Sequence, residues 1–200
     1  MTSQPRPIES VCVYCGSSDG APPELLAAAA RLGETLAGEG LRLVYGGGGV
    51  GLMGACARAA HRSGGRVLGV IPKFLTSHER PLSIVETIIV ESMHERKMRM
   101  FEEADAFAVL PGAIGTLEEA IELLSWRRLG LHAKPIVFYS PEDFWTPLFD
   151  LFERFTEKAL VPRQFAQCWR AVTHIDDVLP ALRAMPSTTF ASPPPVAALI

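Results

Sequence analysis

The residues with the clearest chemical content run from position 110 to 119: Leu110-Pro111-Gly112-Ala113-Ile114-Gly115-Thr116-Leu117-Glu118-Glu119. Behind them, residues 106–110 form an apolar run that reads as a buried strand; ahead, residues 117–129 carry a helical pattern. A small-residue turn between a strand and a helix start presents backbone N–H groups where the helix dipole is positive, which favours an anion. Two carboxylates, Glu118 and Glu119, follow at once. A phosphate cradle beside a carboxylate points to chemistry on a phosphorylated small molecule. Thr116 can cap the helix or bond a phosphate oxygen. Thr116 and Glu119 also have capping-box spacing, a purely structural alternative. Glu118 and Glu119 stand about 100° apart around a helix, so they are expected to take different tasks.

A second glycine-rich turn, Gly46-Gly47-Gly48-Gly49-Val50-Gly51, follows an apolar strand and precedes a helix. Gly46, Gly48 and Gly51 fit the G-x-G-x-x-G dinucleotide fingerprint, but the next strand ends in Ile71-Pro72-Lys73, without the acid that would hold a ribose. No G-K-[ST] closes the loop. It is either a tight turn for close helix packing or a place where backbone at Gly47 and Gly48 passes against a ligand. Ser17 and Ser18 end the first strand at the same level. Residues 93–100, Met93-His94-Glu95-Arg96-Lys97-Met98-Arg99-Met100, place Met93, Arg96, Lys97 and Met100 on one helical face. Cations on an otherwise apolar face are costly unless they meet an anion. Arg96 can grip a phosphate or carboxylate with two prongs, and the methionines can line a flat apolar pocket for a base. The competing reading is a solvated charged helix.

Strands are expected at residues 10–14, 41–45, 67–71, 84–90, 106–110 and 135–139, the fourth as an edge. Helices are expected at 24–38, 52–63, 93–103, 117–129, 141–158 and 175–185, with residues 74–83 irregular. This alternation implies right-handed crossovers and a doubly wound α/β parallel sheet in a single domain, residues 10–185. Ligands of such sheets bind beyond the carboxyl ends of the strands. Residues 1–9 read as a loose leader. The Pro- and Ser-rich residues 186–200 read as a disordered tail.

The chain has 200 residues, 48% hydrophobic, with a net charge of −3, so any anion site must be local and nothing draws it to nucleic acid or membrane. No apolar run is long enough to span a bilayer, no signal peptide is evident, and a cytoplasmic place is expected. Cys12 and Cys15 form one C-x-x-C pair without the second that a zinc ribbon needs. With Cys12 inside a strand, two buried reduced thiols are expected, and no metal or cofactor.

In order, the chain carries Val13-Tyr14-Cys15-Gly16-Ser17-Ser18, Tyr45-Gly-Gly-Gly with Gly51-Leu52-Met53-Gly54, Gly69-Val70-Ile71-Pro72, Met93-His94-x-Arg96-Lys97, and Pro111-Gly112-x-x-Gly115-Thr116-x-x-Glu119. Over residues 10–182 it resembles the LOG ("Lonely guy") family of cytokinin riboside 5′-monophosphate phosphoribohydrolases, whose members have often been labelled "lysine decarboxylase". The resemblance implies a Rossmann-like fold, a homodimer, and hydrolysis of a nucleoside 5′-monophosphate to a free base and ribose 5-phosphate. By motif it implies Arg96 and Glu119 as the catalytic pair. Glu79, Lys97, Gly112, Ala113, Ile114, Gly115, Thr116, Leu117 and Glu118 are implied as substrate-binding residues. The family has a second glycine where this chain has Ala113; a left-handed backbone there would cost alanine about 1 kcal/mol. Gly49 stands where many members have serine. A lysine decarboxylase needs a Schiff-base lysine, and Lys97 is better explained by its arginine neighbour and the phosphate loop.

The expected mechanism sets Glu119 under the sugar, with Arg96 holding it ionised, and the phosphate on the N–H groups of residues 112–116. No general acid for the base is evident. Trp126-Arg127-Arg128-Leu129 is expected to meet a second subunit. The alternatives are a non-catalytic nucleotide sensor and an NAD(P)-dependent oxidoreductase.

Overall fold

The structure, a computed structural model, describes residues 7–186. Most of the expected leader and tail, residues 1–6 and 187–200, lies outside the described residues. At the near edge, Ile8 packs against the core and the Glu9 N–H bonds the Asp105 carboxylate at 3.0 Å.

Seven strands form one sheet: β1 (Ser10–Tyr14), β2 (Arg42–Tyr45), β3 (Val67–Pro72), β4 (Glu86–Val90), β5 (Ala106–Val109), β6 (Ile136–Tyr139) and β7 (Arg170–Val172). Every pairing is parallel, in the order β4-β3-β2-β1-β5-β6-β7. The chain winds outward from β1 to β4, then returns to lay β5 on the other side of β1. That reversal opens a crevice at the carboxyl ends of β1 and β5, where ligands of doubly wound sheets bind. The central strands are buried along their whole length because helices cover both faces. One core lies between the sheet and α1 (Pro23–Gly38), α2 (Gly51–Arg62) and α7 (Val178–Ala184). The other lies under α4 (Met93–Glu102), α5 (Ile114–Arg128) and α6 (Thr146–Glu157).

Several expectations are corrected. Residues 74–83 are not wholly irregular: a 3₁₀ turn, Lys73–Leu75, runs into a one-turn helix, α3 (Thr76–Glu79), ended by Arg80 in the left-handed region at φ 45°. Helix α5 starts at Ile114, three residues earlier than its apolar pattern, because Gly112 and Ala113 rather than Thr116 make the turn. Residues 141–158 are two pieces, a 3₁₀ turn at Pro141–Asp143 and then α6, and residues 175–185 likewise begin with a 3₁₀ turn, Ile175–Asp177. Strand β7 was not expected at all; it has three residues, two of them exposed, too short and too polar to show a pattern.

Candidate active site

Helix α5 enters from Ala113 at φ −93°, ordinary extended backbone, so alanine carries no strain there and the expected cost is absent. No side chain caps the helix, and its first backbone hydrogen bond runs from Leu117 N–H to Ala113 O at 3.0 Å. The N–H groups of Ile114, Gly115 and Thr116 are thereby left to an incoming acceptor. Thr116 is not the N-cap. It is buried in the first turn, and a Cβ on Gly112 would overlap its side chain, so glycine at 112 lets the loop fold back over the helix start. The capping-box reading of Thr116 and Glu119 therefore falls.

Glu119, one turn further on, is only 6% exposed, as is fitting for a residue on the sheet side of α5. Arg96 reaches it from α4 and is 4% exposed. Helix α4 is fixed by Ser92, whose hydroxyl accepts from Glu95 N–H at 3.1 Å, while the Glu95 carboxylate reaches back to Glu91 N–H at 2.9 Å. From there the Arg96 Nη2 donates to the Gly46 carbonyl at 3.0 Å, and Nη1 stands 4.0 Å from Glu119 Oε1. The guanidinium passes so close to Gly46 that a Cβ on that residue would overlap Nη2. The glycine turn after β2 is thus what lets an arginine thread into the crevice.

Arg96 favours the ionised form of Glu119, as expected, but it does not act alone. Burial is the strongest influence and raises the carboxyl from 4.5 to about 7; Arg96 opposes it, and Glu118 and Glu79 add to it. A contact at 4.0 Å recovers less than the lost hydration. Near neutral pH the group exchanges a proton readily, a property suited to acid–base work.

A cleft of about 500 Å³ opens in front of these groups. Of the residues singled out by sequence, Ser17, Ser18, Glu79, Met93, Arg96, Gly112, Ala113, Gly115, Thr116, Glu118 and Glu119 line it. Five others stand behind or beside the wall. Gly47 and Gly48 are buried, Gly48 against the Glu79 carboxylate. Leu117 packs into the core and Ile114 is exposed. Lys97 is clasped by Glu118 at 2.6 Å and Glu122 at 2.9 Å, which places it across Glu118 from the cleft. Sequence reasoning missed Cys15, Leu25, Met53 and Phe144 on the wall. The first three are apolar residues at a strand end (Cys15) or in the first turn of a helix (Leu25, Met53), indistinguishable in sequence from core; Phe144 was hidden inside the overlong helix expected at 141–158. Among the described residues all four cysteines are free and buried.

The second glycine loop does not form a dinucleotide cradle. The Gly16 carbonyl occupies the start of α2, accepting from Leu52 N–H at 3.0 Å and Met53 N–H at 3.3 Å. A Cβ on Gly51 would strike the backbone of Ser17 and Ser18. The loop serves to pack α2 against the end of β1, and the N–H groups a pyrophosphate would need are taken.

The sequence profile of a family described as "Possible lysine decarboxylase" matches residues 53–182. A probable cytokinin riboside 5′-monophosphate phosphoribohydrolase, LOG4 of Oryza sativa subsp. japonica, is 42% identical over 156 residues, covering 78% of this chain and 68% of the relative. The chain belongs to the LOG family. A second LOG relative, the cytokinin riboside 5′-monophosphate phosphoribohydrolase LOG7 of Arabidopsis thaliana, is 42% identical over 152 residues, 76% of this chain and 70% of its own length. Among solved structures, the molybdenum cofactor binding protein of Rippkaea orientalis superposes with a TM-score of 0.65 at 21% identity, over 92% of this chain and 98% of that one, and shows the shared Rossmann-like fold. The decarboxylase label of the family finds no counterpart in the LOG site: among the described residues no lysine lines the cleft.

Proposed function

We propose that the protein hydrolyses the N-glycosidic bond of a nucleoside 5′-monophosphate, AMP or a cytokinin riboside 5′-monophosphate, to a free base and ribose 5-phosphate. The LOG relatives carry this activity in their names. The observation that carries it here is one cleft holding an uncapped helix start, a buried arginine and a buried carboxyl poised near neutral pH.

The 5′-phosphate sits on the N–H groups of the first turn of α5, with Ser17 and Ser18 beside it. The sugar lies over Glu119. As the bond from C1′ to the base breaks, its electron pair leaves with the base and positive charge grows on the sugar ring; the Glu119 carboxylate stabilises that charge. Water adds its oxygen to C1′. Its proton passes to Glu119 and on to the departing base or solvent, so Glu119 ends as it began. Arg96 anchors the carboxylate face and meets the anionic substrate. Glu79 and Glu118 bind sugar hydroxyls, and Lys97 holds Glu118 in place.

The same reading makes the protein cytoplasmic, supported by its four reduced thiols, and free of nucleic acid, supported by its net charge of −3. It also makes it a homodimer. Residues 126–129 do not present one face, since Arg127 turns inward to the Lys134 and Pro186 carbonyls; the exposed Leu129 at their end and Leu131 just beyond support the contact instead. The oxidoreductase reading loses its phosphate site at α2, and the sensor reading loses its premise at Ala113.

The test is incubation with AMP and with isopentenyladenosine monophosphate, followed by chromatography. Free base appearing from at least one of them is the expected result; intact nucleotide from both sinks the proposal.

A further inference from the structure

The polar half of the cleft is accounted for by phosphate and sugar. The rest of its wall is apolar: Ala21, Leu25, Met53, Met93 and Phe144. Phe144 is the only aromatic residue on that wall among the described residues, and it is 45% exposed. A large ring left this open, in a cleft rather than on a convex surface, lacks a partner for one of its faces.

Its position is fixed by unusual backbone. Glu142 and Asp143 immediately before it are both left-handed, at φ 48° and 59°, a conformation non-glycine residues rarely adopt and rarely adopt in succession. The turn is closed by Ser140, whose hydroxyl accepts from Trp145 N–H at 2.9 Å. The Phe144 ring then stands edge-to-face with Trp145, centroids 4.9 Å apart at 85°. Trp145 is itself buried against Phe138 of β6 at 5.6 Å. The ring is therefore braced by Trp145 while nearly half of its surface stays open. It projects from the carboxyl end of β6, the strand next to β5 whose end makes the anion cradle, about 5 Å away in the plane of the sheet.

From this geometry we infer that Phe144 is a specificity residue: its open face stacks on the planar base of the nucleotide, so that the site takes a nucleoside monophosphate in preference to a bare sugar phosphate. The inference rests on the function proposed above. Stacking suits every purine, since each has a π face, and Leu25 and Ala21 on the same wall suit an apolar substituent on the base.

The experiment is titration calorimetry of AMP and of ribose 5-phosphate into the Glu119→Gln protein, which is expected not to turn AMP over, with Phe144 intact and with Phe144→Ala or Phe144→Tyr added. Phe144→Ala should weaken AMP about tenfold and leave ribose 5-phosphate within about twofold; Phe144→Tyr should restore AMP. Equal weakening of both ligands marks a disturbed cradle and overturns the inference, as does AMP bound equally well without the ring. Base release by the wild-type protein is scored separately. Binding lost selectively with Phe144→Ala in a protein that cleaves nothing overturns the hydrolase reading and keeps the contact. Cleavage by wild type with AMP affinity indifferent to Phe144 overturns the contact alone.

Discussion

Glu119 lies where burial and a cationic neighbour oppose each other, and burial prevails. The consequence for rate follows from the sign. A carboxyl raised to about 7 is protonated below that pH and cannot stabilise positive charge on a sugar, so kcat/KM should rise as pH increases through about 7. An inflection near 6 instead would report the substrate phosphate and contradict this assignment. The consequence for stability has the opposite sense. The folded state holds a proton that the unfolded state releases, so the stabilisation is complete below 4.5 and is lost as pH rises to about 7, on the order of 3 kcal/mol in all. Urea unfolding of wild type against Glu119→Gln across that window measures it; parallel curves would show an unshifted carboxyl. Arg96 depends in turn on the missing side chain at Gly46. Gly46→Ala should push the guanidinium aside and lower kcat/KM about 10²-fold in a protein that still folds by circular dichroism; an unchanged rate would mean that Arg96 need not lie there. The family resemblance singled out Arg96 and Glu119 together, and the fold brings the two to 4.0 Å of each other; of the pair, Glu119 stands at a fixed offset from the Gly112–Gly115 turn. The protonation of Glu119 was not legible, since it comes from helices packing around the carboxyl rather than from its neighbours in the chain.

At the scale of elements, four of the helices, α1, α2, α5 and α6, end by one device. After α1, α2 and α5 the chain turns left-handed at Gly40, Gly64 and Gly130, with the following N–H returning to a carbonyl five residues back. Helix α6 ends the same way, Ala159 N–H to Thr156 O at 3.0 Å and Leu160 N–H to Phe155 O at 2.8 Å, but with alanine at φ 55°. Ala159→Gly should relieve about 1 kcal/mol and raise Tm by about 2–4 °C. A lower Tm would show that the strain is absent. Such glycines are also why the ends of α1, α2 and α5 could be read from sequence. The start of α5 could not be: its apolar pattern begins at Leu117, while the backbone turns helical at Ile114 to hold N–H groups open in the crevice. Strand β7 escaped notice for a different reason: three residues, two of them exposed, are too few to display a pattern.

For the whole molecule, the alternation of apolar runs and helical patterns was enough to imply a parallel sheet with helices on both faces. The order of the strands was not, yet the order places the site: because β5 returns beside β1, the loops after β1, β2 and β5 converge with α4, and residues 96 and 119 meet across a gap no local pattern could foretell. On the function proposed above, this convergence cleaves a glycosidic bond through Glu119. The most direct measurement compares wild type with Glu119→Gln on AMP or isopentenyladenosine monophosphate at saturating nucleotide, counting free base and ribose 5-phosphate released. The wild-type protein should release the two in equal amounts, and Glu119→Gln should bind the nucleotide and release neither. Equal turnover by the two proteins would remove Glu119 from the chemistry, and no product from wild type would rule out the hydrolase.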